Sequence, residues 1–81
     1  MDILKQIQNI IPDSKWKTRS NYNDMTTCYT GRCPGMHIKI IETPSKFSVN
    51  IKSNLNTYSA TYCDSDQLLD DLPMILNSLD S

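Results

Sequence analysis

The chain is 81 residues long, enough for one domain around one small core and too short for a deep catalytic cleft. Its formal charge is −1 and its isoelectric point about 5.6, which argues against a globally basic nucleic-acid protein. The charge is unevenly placed: residues 1–55 carry all eight Lys and Arg against four acids, while residues 56–81 carry five Asp and no base.

The first expected element is a helix over residues 2–11. Ile3, Leu4, Ile7, Ile10 and Ile11 recur along one stripe of a 3.6-residue repeat, and Asp2 suits the positive end of the helix dipole. Pro12 ends it, because a residue before proline avoids helical backbone angles. The period then changes to two. KWKTR (15–19) and TTCYT (26–30) suit a hairpin across NYND, although Asn21, Asn23 and Asp24 also suit an irregular loop. HIKIIE (37–42), KFSVNIK (46–52) and TYSATYC (57–63) alternate apolar and polar residues and are joined by short turns. One face of these three strands collects Ile38, Ile40, Phe47, Val49, Ile51, Tyr58, Ala60 and Tyr62. The other collects Lys39, Ser48, Asn50, Lys52, Ser59 and Thr61. The last element is a helix over 65–79, capped by Asp64 or Ser65 with Gln67 reaching back. Leu68, Leu69, Leu72, Ile75, Leu76 and Leu79 form its apolar stripe, and Pro73 predicts a kink or break.

Two amphipathic helices need one apolar surface, and one sheet face supplies it. The expected fold is therefore α+β, a two-layer sandwich over 1–81. It has an antiparallel meander of three to five strands with the N-terminal and C-terminal helices on one face. The order helix, three strands, helix is similar in topology to double-stranded RNA-binding domains, whose second helix begins with lysines that grip phosphate. Here that position reads DSDQLLDD, of opposite sign, so their binding mechanism does not carry over.

The segment CYTGRCPG (28–35) holds both glycines of the chain, two of its three cysteines and one of its two arginines. Gly31 and Gly35 permit positive φ and Pro34 is stiff, which predicts a shaped loop over 28–36 presenting Tyr29, Arg32 and Met36 to a partner. Cys28, Cys33, His37 and Cys63 are zinc-ligand types, but the C-x4-C-x3-H spacing fits a zinc knuckle poorly, so no metal or other cofactor is expected. A Cys28–Cys33 disulfide and a Cys33–His37 nucleophile pair are further options. The pair lacks a third orienting residue, so an enzyme is not expected. An odd cysteine count and a periodic rather than uniformly apolar start suit a cytoplasmic protein with reduced thiols and no membrane partner.

Two binding surfaces remain. The first is acidic: Asp64, Asp66, Asp70 and Asp71 with Met74 on the last helix. Together with Tyr29 and Arg32 they suit a protein partner, one that itself has a basic, nucleic-acid-binding surface. A small α+β chain with an acidic face and no catalytic set is similar in style to phage-encoded anti-defence proteins, anti-CRISPR inhibitors among them. That likeness implies an inhibitor or adaptor. The second surface is basic, with Lys15, Lys17, Arg19, Arg32, Lys39 and Lys52 and the aromatics Trp16 and Tyr22, and it suits nucleic acid held by phosphate contact and stacking.

Overall fold

The computed structural model describes residues 3–80. The chain runs α1 (Ile3–Ile10), β1 (Lys15–Asn21), β2 (Thr26–Cys33), β3 (Met36–Glu42), β4 (Phe47–Ser53), β5 (Thr57–Tyr62) and α2 (Ser65–Asp80). The five strands form one open antiparallel meander in the order β1-β2-β3-β4-β5. Both helices pack against a single face, as the apolar alternation of β3, β4 and β5 requires. Asp2, expected in the first helical turn, lies outside the described residues.

The core is built from aligned cross-strand ranks. Ile38, Ile51 and Tyr58 lie opposite one another, and Ile40, Val49 and Ala60 form the next rank. Ile3 and Ile7 of α1 and Leu68, Leu72 and Ile75 of α2 close over them. Ile7, Ile40, Ile51, Leu68 and Leu72 have no exposed surface, so each is worth roughly 1.5–3 kcal/mol of burial.

Local chemistry sets the element ends. The backbone amide of Ile11 still bonds the Ile7 carbonyl, and Ser14 then takes the Ile11 carbonyl through both its amide and its hydroxyl. The Ser14 hydroxyl oxygen also accepts the indole N–H of Trp16 at 2.6 Å, which ties the end of α1 to the start of β1. At the start of α2, Asp64 Oδ1 accepts the Gln67 amide at 2.8 Å, which makes Asp64 the N-cap. The expected break at Pro73 does not occur, and α2 runs through it to Asp80. Leu68 and Leu72 before it and Ile75 after it dock in the same core. That shared burial offsets a bond loss worth about 3 kcal/mol.

The expected loop over 28–36 is mostly strand. β2 continues to Cys33, and the turn is Pro34 and Gly35 alone, with Gly35 at φ 81°. Proline followed by a positive-φ glycine is the chemistry that a type II turn requires. Gly31 does not have positive φ; it lies buried in β2 opposite Trp16. A Cβ at Gly31 would stand 2.6 Å from the Trp16 ring, so this glycine exists to let the indole lie on the backbone. The NYND segment does close a hairpin. Asn21 Oδ1 accepts the Asn23 amide at 3.1 Å, and Met25 takes a left-handed φ of 54°.

Candidate functional site

Side chains alternate across a strand, and directly paired residues of antiparallel neighbours point to the same face. With the register known, the face away from the helices can be read off. β1 supplies Lys15, Lys17 and Arg19. β2 supplies Cys28, Thr30 and Arg32. β3 supplies His37, Lys39 and Ile41, and β4 supplies Ser48, Asn50 and Lys52. Six of the eight Lys and Arg of the chain thus share one face, with the only histidine beside them and no carboxylate among the described residues.

The cations are ordered. Lys15 pairs with Arg32, Arg32 with His37, and His37 with Lys52, so one rank crosses four strands. Neighbouring strands are about 4.8 Å apart, which makes the rank roughly 14 Å wide. Lys17, Thr30, Lys39, Asn50 and Ser59 form the next rank, about 6.7 Å further along the strands. Like charges placed directly opposite are destabilising, by a few tenths of a kcal/mol or more. A shallow hollow of about 750 Å³ lies over this face, with His37, Lys39, Ser48, Asn50, Lys52 and Thr61 among its lining. Asn50 donates to Ser59 Oγ at 3.0 Å across its floor.

Trp16 does not join the basic residues. Its parity is opposite to that of Lys15 and Lys17, so the indole lies on the helix side over Gly31. The alternation Lys15-Trp16-Lys17-Thr18-Arg19 contained that information. Tyr22 is on neither face; it stands 90% exposed in the turn after β1.

The acidic group is less uniform than its sequence. Asp66 and Asp70 are exposed, and Met74 is 68% exposed beside them. Asp64 is occupied as the N-cap, and Asp71 is half-buried against Tyr62. Burial, then the contacts with Tyr58 and with Asp71, hold the Tyr62 phenol well above its ordinary 10.0. The Tyr58 and Tyr62 hydroxyls meet at 2.9 Å. A hollow of about 490 Å³ bounded by Tyr58, Asp71, Met74 and Leu79 lies alongside.

The residues expected on the 28–36 loop part company. Arg32 is exposed on the basic face. Tyr29 is buried instead, and its hydroxyl donates to Glu42 Oε1 at 2.8 Å on the helix side. Met36 is half-buried and packs on the core. Nothing in the local pattern of TTCYT distinguished an inward Tyr29 from an outward one.

The cysteines stay apart. Cys28 and Cys33 are five residues apart on one extended strand and on opposite faces, beyond the roughly 7 Å Cα limit of a disulfide. Cys33 pairs with Met36 on the helix side while His37 faces the other way, so they make no nucleophile–base pair. None of the three cysteines is in a disulfide, and no group of three or more metal-ligand residues exists among the described residues. No helix among them is long and apolar enough to cross a membrane. Comparison with protein-family models, with curated proteins and with solved structures finds no match.

Proposed function

We propose that this chain is a non-enzymatic binding domain that holds the phosphate backbone of a nucleic acid against the open face of its sheet. One observation carries the reading: Lys15, Lys17, Arg19, Arg32, Lys39 and Lys52 point from four adjacent strands to one face that has no carboxylate among the described residues. A polyanion gains from each cation that displaces its counterions. The net charge of −1 is no obstacle, because screening over about 8–10 Å makes a docked partner respond to the face it touches. In this reading the protein acts in the cytoplasm, where its thiols stay reduced.

The test is fluorescence anisotropy with labelled oligonucleotides across a salt series. Affinity should fall steeply with salt, with a log–log slope of about −0.9 per phosphate contacted on a duplex. Arg32→Glu with Lys52→Glu should abolish binding, while Asp66→Lys with Asp70→Lys should preserve it. Absence of salt-dependent binding in the wild-type protein would sink the reading.

A second reading has its own observation. Asp66, Asp70 and Met74 form an exposed acidic and apolar arc on α2, suited to a protein whose basic surface ordinarily holds nucleic acid. An inhibitor or adaptor of that kind would capture one stoichiometric protein that survives nuclease, and the Asp66→Lys, Asp70→Lys variant would lose it.

A further inference from the structure

We infer that the nucleic acid held by this face is double-stranded, gripped through two backbones at once and without base stacking. The inference rests on the nucleic-acid reading above and narrows it.

The first ground is where the aromatic rings lie. Sheets that bind single strands offer rings on which unstacked bases settle. Here Trp16 covers Gly31, and Tyr29, Phe47, Tyr58 and Tyr62 pack on the helix side. The open face carries no Trp, Tyr or Phe from any strand, and its one ring is the His37 imidazole within the cationic rank. Tyr22, the remaining aromatic, lies beyond the end of β1 in the turn. Bases laid on this face would meet mainly ammonium and guanidinium groups, hydroxyls and an amide. A duplex keeps its bases stacked on one another and asks nothing of that kind from the protein.

The second ground is the plan of the charges. Lys15, Lys17 and Arg19 form one column along β1, at about 6.7 Å intervals over roughly 13 Å. Lys39 and Lys52 form a second column on β3 and β4, two and three strand spacings away, about 10–14 Å. Arg32 stands between the columns on β2. A single backbone can follow one column and leaves the other idle. A duplex presents two phosphate rows flanking a groove, about 12 Å wide for the major groove of B-form DNA, and so engages both. Thr30, Asn50 and Ser59 between and beyond the columns supply neutral donors of the sort that contact phosphate and sugar.

The experiment compares one labelled sequence as single-stranded DNA, single-stranded RNA, duplex DNA and duplex RNA, by anisotropy at matched salt. At least one duplex should bind about tenfold tighter than either of its strands, with the steeper salt dependence that a duplex's denser charge imposes. The two duplex arms tell DNA from RNA. Lys17→Glu and Lys52→Glu, one in each column, should each weaken duplex binding several-fold, and Tyr22→Ala should leave it unchanged. Equal or tighter binding of single strands, or a silent Lys52→Glu, would overturn the double-stranded inference while leaving nucleic-acid binding intact. Failure of all four ligands to bind would remove both readings. Circular dichroism of each variant separates lost contact from lost fold.

Discussion

The two faces of the sheet are made from the same strands, yet they obey opposite rules. The covered face gathers Ile38, Ile40, Val49 and Ile51 under Leu68 and Leu72, and every direct neighbour there adds burial. On the open face Lys15 and Arg32 lie directly opposite each other and repel, and His37 and Lys52 continue the same rank with no carboxylate beside them. A sheet selected for stability alone would mix signs on its wet face. One face is spent on folding, and the other carries the charge on which the proposed nucleic-acid reading rests.

The sharpest way to break the contrast is at its centre. Leu68→Ala or Ile40→Ala should cost about 2–5 kcal/mol in chemical denaturation, a large share of the roughly 4–12 kcal/mol that a chain of this size holds. Gly31→Ala comes next. The added Cβ meets the Trp16 ring, so we expect about 1–3 kcal/mol of destabilisation and a red shift in the emission of the single tryptophan. An unchanged spectrum would show that the indole does not rest on this strand. Asp64→Ala removes the N-cap of α2 and should cost about 1 kcal/mol, and Asp64→Asn should restore most of it. On the open face the same measurement should move little, and upward: Lys15→Gln relieves the directly opposed Lys15–Arg32 pair and should stabilise by a few tenths of a kcal/mol.

Tyr62 gives the covered face a pH signature. Burial, with Tyr58 and Asp71, raises its folded pKa above the unfolded 10.0, so the unfolded chain ionises first as pH rises. The stabilisation of the neutral phenol is fully present below about pH 10 and is lost as pH climbs beyond it toward the folded pKa. Unfolding midpoints measured from pH 9 upward should fall in the wild-type protein and fall less in Tyr62→Phe.

Much of this is legible in the amino-acid sequence alone. Apolar spacing of 3.6 in residues 3–11 and 68–79, and of two in the strands, gave the element order and nearly all of the core, because periodicity is a local property that burial must respect. The loop expected over 28–36 was misread because two glycines and a proline look alike in a turn and in a strand that carries an indole; only Trp16 lying on Gly31 tells them apart. Tyr29 and Asp71 were assigned to surfaces by residue type, while their partners, Glu42 and Tyr62, come from other elements.

The sequence by itself determined which residues alternate, that a helix lies at each end of the sheet, and that the positive charge sits before residue 56. What only the tertiary structure decided is the pooling of that charge. Alternation within a strand says which residues share a side, but not which side of a neighbouring strand they meet. That depends on register, and register is set by the fit of Ile38 to Ile51 and Ile40 to Val49 under the helices. The packing of the covered face thereby aligns Lys15, Arg32, His37 and Lys52 on the open one.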